Sequence, residues 1–192
     1  YYPFPRGPLY PYILAAVFLI GDHWLLPRLL NLLCDWGTII LIWTISRRWL
    51  GYKGSALASL MYALNGMAIY FSGEVLGTSL EVFLSTLTIY AALNLSLRSS
   101  LSVIALSAVL AIFALIRPTA LIWWLLLTVW IFIRVAKEGI RSWSSPLLFV
   151  LIFGVIVAPV TLINYISSGS FIPISTLGGV NFYIGNSPES KG

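Results

Sequence analysis

Long apolar runs recur along the whole chain, separated by short polar turns, and this pattern restricts the fold more than any other feature. Of the 192 residues, 59% are hydrophobic and 9% are charged, whereas about a quarter of a soluble domain is charged. In the core of a bilayer the backbone must satisfy its own hydrogen bonds, which an α-helix does. The sequence therefore predicts an all-α, polytopic transmembrane helix bundle.

The polar turns divide residues 24–166 into six predicted spans, since crossing a bilayer takes about 20 apolar residues. The predicted spans cover residues 24–49, 55–72, 75–97, 101–116, 119–134 and 146–166. Residues 13–20 are apolar but too short to cross, so we expect a short interfacial helix there, within an outer-face segment of residues 1–23. Residues 167–192 are polar and rich in Gly, Ser and Pro, and are predicted to begin an outer-face loop. The whole chain is interpreted as one transmembrane domain.

The positions of the basic residues predict the topology. Seven of them fall on one set of turns: Arg47, Arg48, Lys53, Arg98, Arg134, Lys137 and Arg141. Four fall on the other set: Arg6, Arg28, Arg117 and Lys191. Because basic residues concentrate on the cytoplasmic side, the first set is predicted to be cytoplasmic and the second to face outward. The net charge of +5 is therefore read as a topology signal, and no nucleic-acid partner is expected.

Three carboxylates within or beside apolar runs need an explanation, because an ionised acid in hydrocarbon is costly. Glu74 and Glu81 are seven residues apart and would share a helix face if the helix begins at Gly73. The topology places Glu74 at the outer mouth and Glu81 about 10 Å deeper. Glu74 could also complement a helix dipole. Glu81 and Asp35 must each be protonated, paired or turned to a wet cavity, and Asp35 could share a face with Arg28.

The remaining outer polar residues have two readings. Charges at helix ends can be solvated by headgroups without further role, which suits Arg6, Asp22 and Lys191. Arg117 lies in a tight turn with no anion evident nearby, so its guanidinium could hold a phosphate in a bidentate manner. His23 could be a base, a ligand or a headgroup contact, but a lone histidine does not make a zinc site.

Five stretches occur in the order found in one enzyme family. They are Gly7–Ala15 (GPLYPYILA), Arg28–Gly51, Tyr70–Leu76 (YFSGEVL), Ile116–Leu121 (IRPTAL) and Gly178–Glu189 (GGVNFYIGNSPE). Together they resemble the dolichyl-phosphate-mannose–protein mannosyltransferase-like enzymes, glycosyltransferase family 39, which have the GT-C fold. The last stretch is the most specific, and the resemblance covers the whole chain.

This resemblance implies a hexosyl- or pentosyl-type glycosyltransferase in a bacterial inner membrane, with its active site facing outward. It would move a sugar from a polyprenyl-phosphate donor to a protein, lipid or glycan acceptor. Arg117, helped by Arg28 and Arg6, would bind the donor phosphate. The residues expected to line the substrate cavity are His23, Tyr70, Asn181, Tyr183 and Asn186. No cofactor is implied with certainty, and a divalent cation is left open.

The chain departs from the family at its start. The principal catalytic aspartate of the family precedes the Pro-Leu-Tyr segment, and this chain begins after that point, without an initiator Met. We interpret the sequence as an internal fragment or a truncated product that is expected to be inactive alone. Glu74 is then the best candidate for a secondary acid, which could position the acceptor or a metal ion instead of acting as the base.

Two other classes of function are weighed against the transferase. A transporter or flippase of an amphipathic substrate would use Glu81 and Asp35 as coupling acids, although no inverted repeat is evident in the sequence. A structural membrane subunit would tolerate alanine at every outer polar residue.

Overall fold

The computed structural model describes residues 2–21, 23–138 and 144–187. Its helices are α1 (Leu9–Ile20), α2 (Leu25–Ala63), α3 (Gly66–Gly73), α4 (Thr78–Leu93), α5 (Ser100–Ile116), α6 (Ala120–Lys137), α7 (Ser144–Ser168) and α8 (Leu177–Asn186). Within the described ranges, α2, α6 and α7 are long and apolar enough to cross a membrane, and α1, α4 and α5 are shorter apolar helices. The prediction of an all-α membrane bundle is confirmed. The count of six spans stays a prediction.

Helix α2 folds back on itself at Gly51. This glycine has φ 64° and ψ −167°, a left-handed conformation that costs glycine little and other residues more. Two hydrogen bonds join the halves of α2 before and after Gly51: the Ser59 hydroxyl donates to the Ile39 carbonyl, and the Tyr62 hydroxyl donates to Asp35. The two halves therefore run antiparallel. The predicted turn after Trp49 is therefore present.

The second predicted span, residues 55–72, is interrupted. Its helix ends at Ala63, and Asn65 begins α3 by accepting hydrogen bonds from the backbone N–H groups of Met67 and Ala68. Asparagine favours this capping position because its side chain satisfies N–H groups that lack a helical partner. This cap starts a new helix, so the apolar stretch is divided between the end of α2 and α3.

Helix α5 forms the centre of the bundle and packs against α1, α4, α6 and α7. Val103, Leu106, Leu110 and Phe149 are completely buried there. The Ser107 hydroxyl donates to the Phe149 carbonyl at 2.6 Å, which joins α5 to α7. Many large apolar side chains remain exposed on the outside of the bundle, as expected where the surrounding solvent is lipid.

The two ends of the bundle differ. At one end Arg48 donates to the Leu93 carbonyl and to the Asn94 side chain. At the same end of α4, Arg134 donates to the Leu95 carbonyl at 3.3 Å and pairs with Glu138 at 2.6 Å. Arg6 and Arg117 lie at the opposite end, as the alternation of turns predicts. The identity of the outer face stays a prediction.

Two expectations about local structure are wrong. Glu74 is not on the helix of Glu81, because its backbone is extended (φ −92°, ψ 152°) and α4 begins only at Thr78. The Asn31 amide donates to the carbonyls of Glu74 and Leu76. These carbonyls therefore accept from a side chain of α2 in the link between α3 and α4.

The second correction concerns the predicted C-terminal loop, which contains helix α8. Its start is tethered by the backbone N–H groups of Thr176 and Leu177, which donate to the carbonyls of Phe4 and Pro5. Such anchoring overrides the low helix propensity of the two glycines that follow. Asp22, Arg141 and residues 188–192, which entered the charge balance and the resemblance, lie outside the described residues.

Candidate functional site

A cavity of about 900 Å³ opens at the end of the bundle that holds Arg6 and Arg117. Four parts of the chain form it: the N-terminal segment with α1, the start of α4, the turn between α5 and α6, and the segment that leads into α8. Its lining includes Pro5, Arg6, Gly7, Tyr10, Leu76, Gly77, Thr78, Glu81, Ile116, Arg117, Thr119, Ile174, Ser175 and Leu177. We call it the end cavity.

Arg117 and Glu81 face each other in the end cavity. Pro118 disfavours helix at the preceding residue, so α5 ends at Ile116 and Arg117 has an extended backbone. Its Nη1 atom lies 3.4 Å from Oε2 of Glu81, with 57% and 25% of the two side chains exposed. The expectation that no protein anion lies near Arg117 is wrong, because the α5–α6 turn passes the first turn of α4. Of the alternatives left open for Glu81, two are observed together, because the carboxylate pairs with Arg117 and lines the end cavity.

Arg6 and Arg117 line the same cavity, and the backbones of the neighbouring residues Gly7 and Ile116 are in close contact. A Cβ atom on Gly7 would lie 2.3 Å from the carbonyl oxygen of Ile116, so only glycine fits against the end of α5. The residues on either side of this contact are Arg6 and Arg117. Arg6 is exposed, and among the described residues it has no ion-pair partner.

The charges of the end cavity favour an anion. Two guanidinium groups and one carboxylate line it, which leaves one positive charge in excess. Tyr10 adds a polar group, and its ring packs against Gly77, where a Cβ atom would lie 3.0 Å from the ring. Burial raises the pKa of the Tyr10 phenol, so the phenol stays neutral and able to donate a hydrogen bond.

Two buried asparagines hold the walls of the cavity, and the sequence analysis missed their role. On α7, Asn164 accepts a hydrogen bond from the Phe4 N–H at 2.8 Å. Its amide donates to the carbonyls of Ile172 at 3.2 Å and Ile174 at 3.1 Å. On α2, Asn31 holds the link between α3 and α4 at its 2.7 Å and 3.2 Å contacts with backbone carbonyls. An uncharged amide within an apolar helix was the available signal.

Asp35 braces the start of α4 and does not meet Arg28. Its two carboxylate oxygens accept hydrogen bonds from the Tyr62 hydroxyl at 2.7 Å and the Ser79 hydroxyl at 3.1 Å. Arg28 is exposed. Asp35 is thus paired within the bundle, and Ser79 connects it to the helix turn that carries Glu81.

The structure brings together only some of the predicted site residues. Arg6 and Arg117 line the end cavity. Six other predicted site residues are exposed and do not line it: His23, Arg28, Tyr70, Glu74, Tyr183 and Asn186. The side chain of Asn181 lies outside what the structure describes. Among the described residues no group of three or more His, Cys, Asp or Glu side chains could hold a metal ion.

Comparison with known proteins gives one match. The family model described as "Alg9-like mannosyltransferase family" matches residues 6–175, which include Arg6, Glu81, Arg117 and Asn164. No curated protein and no solved structure matches the chain significantly. The predicted class is confirmed as a multi-pass membrane glycosyltransferase that uses a polyprenyl-phosphate-linked sugar. The narrower resemblance to glycosyltransferase family 39 is not confirmed.

Proposed function

The chain belongs to the Alg9-like mannosyltransferase family, and we propose that its end cavity binds the phosphate of a polyprenyl-phosphate-linked sugar. The sugar, a hexose and by family description a mannose, passes to a hydroxyl of a glycan or lipid acceptor. The observation that carries this proposal is that Arg6 and Arg117 line one cavity, with Glu81 as the carboxylate that faces Arg117.

Two guanidinium groups line the end cavity, so an anion bound there has two cationic groups available to it. Arginine presents donors in a planar fork that matches phosphate oxygens. A hydrogen bond to a charged group contributes about 1.5–3 kcal/mol. Arg117 remains 57% exposed beside Glu81, so its guanidinium is accessible to a ligand.

The same geometry suits the chemistry of glycosyl transfer. The bond between the anomeric carbon and the phosphate oxygen breaks, and negative charge grows on the departing phosphate. Arginine groups aimed at that position stabilise the charge as it develops. The acceptor hydroxyl forms the new bond to the anomeric carbon and gives its proton to a carboxylate. Glu81 is the carboxylate that lines the cavity.

Glu74 stays our proposal for a secondary acid on the acceptor side. Its side chain is exposed, but it belongs to the link held by Asn31, and Leu76 of that link lines the end cavity. We also propose that this end of the bundle is the extracytoplasmic end, because Arg48 and Arg134 lie at the opposite end with most of the basic turns.

The experiment is sugar transfer from a labelled polyprenyl-phosphate donor by the intact protein in liposomes. We expect Arg117→Ala to raise the KM for donor about tenfold or more, through loss of one charged hydrogen bond. Arg98→Ala, a change at an exposed arginine at the opposite end, is the matched control and should behave as wild type. Wild-type kinetics in both Arg117→Ala and Arg6→Ala would refute the assignment. Substrate-dependent proton flux without sugar transfer would favour the transporter.

A further inference from the structure

We propose that Asn164 is a positioning residue for the end cavity: it fixes residues 4–6 so that Arg6 stays at the cavity that Arg117 also lines. The role in catalysis rests on the proposed function, whereas the fixing of the segment can be measured without it. The sequence shows Asn164 as an amide within an apolar helix but does not show its partners, because Phe4 lies 160 residues away.

The side chain of Asn164 is completely buried and makes three hydrogen bonds. It accepts one hydrogen bond from the Phe4 N–H and donates two, to the Ile172 and Ile174 carbonyls. One side chain on α7 therefore joins the N-terminal segment to the segment that leads into α8. Losing one partner of a buried hydrogen bond leaves the other unsatisfied, which is costly.

Backbone contacts continue from this point towards Arg6. The Thr176 N–H donates to the Phe4 carbonyl at 3.0 Å, and the Leu177 N–H donates to the Pro5 carbonyl at 3.2 Å. On the other side of Arg6, Gly7 lies against the Ile116 carbonyl. The backbone of Arg6 is thus held on both sides while its side chain remains exposed.

This arrangement holds a second cation at a cavity where Glu81 is already paired. Arg117 has Glu81 as its partner, and Arg6 lines the same cavity without an ion-pair partner among the described residues. The hydrogen bonds of Asn164 supply the attachment that keeps the Arg6 segment in place. An anion with oxygens for two guanidinium groups benefits from that placement, as the phosphate of the donor would.

The first experiment measures directly how well the N-terminal segment is held against the segment that leads into α8. Cysteines replace Phe4 and Thr176, whose backbones are hydrogen-bonded, in a Cys34→Ala background, and the rate of disulfide formation is recorded without substrate. In Asn164→Asp the second carboxyl oxygen faces the Ile172 and Ile174 carbonyls and cannot donate to them, so we expect disulfide formation to slow about tenfold, as for buried groups left unsatisfied. Thr161→Val, which removes a bond to the Pro173 carbonyl but none to Phe4, is the matched control with an unchanged rate. Equal rates in Asn164→Asp and wild type, or equal slowing by the control, would overturn the proposal.

The second experiment asks whether Asn164 acts through Arg6. Asn164→Asp should raise the KM for donor about tenfold with little change in kcat, because it misplaces a phosphate contact. In an Arg6→Ala background the same change should add less than about twofold, since coupled residues are not additive. Forming the disulfide between positions 4 and 176 should restore the KM of Asn164→Asp. The proposal would be overturned if the KM effects of Asn164→Asp and Arg6→Ala simply multiplied. It would also be overturned if the disulfide formed without restoring the KM, since Asn164 would then have only a structural role.

Size-exclusion profiles confirm that each variant is folded before it is compared. If the wild-type protein transferred no sugar, the proposed function would fail. The disulfide rates would still test whether Asn164 fixes residues 4–6. Binding of polyprenyl phosphate to the liposome-reconstituted variants would then replace the KM in the double-mutant comparison, with the same expected pattern and the same refuting outcomes.

Discussion

Replacing Glu81 by Gln tests how the charges of the end cavity are balanced. In the free site the carboxylate lies 3.4 Å from Arg117, and more than half of the arginine side chain is exposed. A partly exposed pair of this kind is worth about 0.2–1 kcal/mol after solvent screening. A donor phosphate that engages Arg117 must displace or share this contact. Removing the carboxylate therefore strengthens phosphate binding by about 1.4- to 5-fold.

The same substitution should slow the chemical step. Glu81 is the carboxylate that lines the cavity, and loss of a general base typically lowers the rate about 10²- to 10⁴-fold. We therefore expect tighter donor binding together with a much lower kcat, which uniform damage to the fold would not give. The gain in affinity should shrink in 1 M salt, where the screening length falls to about 3 Å.

The assay pairs equilibrium binding of polyprenyl phosphate with steady-state transfer in liposomes. Glu138→Gln is the matched control, because Glu138 pairs with Arg134 at 2.6 Å at the opposite end of the bundle. That variant should bind donor and turn over as wild type does. Weaker or unchanged phosphate binding in Glu81→Gln would refute the reasoning, as would an equal effect of the control.

Three further predictions test other parts of the site. Glu74→Gln should lower kcat while leaving phosphate affinity unchanged in the same two assays, and wild-type turnover would remove Glu74 from the mechanism. Gly7→Ala forces a Cβ atom to 2.3 Å from the Ile116 carbonyl, so thermal unfolding should show a loss of about 1–3 kcal/mol; Gly154→Ala, which meets nothing within 4 Å, should show none. Asp35→Leu leaves two hydroxyl partners unpaired, and unfolding should show a loss of about 1–3 kcal/mol with phosphate affinity retained in the folded protein, whereas unchanged stability would contradict the bracing role.

Sequence reasoning predicted the helical bundle because burial in lipid is a local property of each segment. The boundary between α5 and α6 followed from Arg117 and Pro118, since proline acts on the residue directly before it. The predicted turn after Trp49 corresponds to Gly51, whose backbone conformation suits glycine. These features depend on a few neighbouring residues, so the sequence displays them.

The arrangement of the site depends on contacts between distant residues. Glu81 lies on α4 and Arg117 in the turn after α5, and no periodicity indicates that the two side chains meet. The extended backbone at Glu74 results from hydrogen bonds to Asn31, 43 residues away. Asn164 bonds across 160 residues to Phe4. The pattern of charged residues therefore indicates both arginines of the cavity but not the amides that hold its walls.

Direct binding of a polyprenyl-phosphate ligand to the intact protein in liposomes tests the central claim most directly. We expect Arg6→Ala and Arg117→Ala each to weaken binding about tenfold or more, as loss of a charged hydrogen bond does, with Arg98→Ala unchanged. Wild-type affinity in both cavity variants, or equal weakening by Arg98→Ala, would contradict the assignment of the end cavity as the phosphate site.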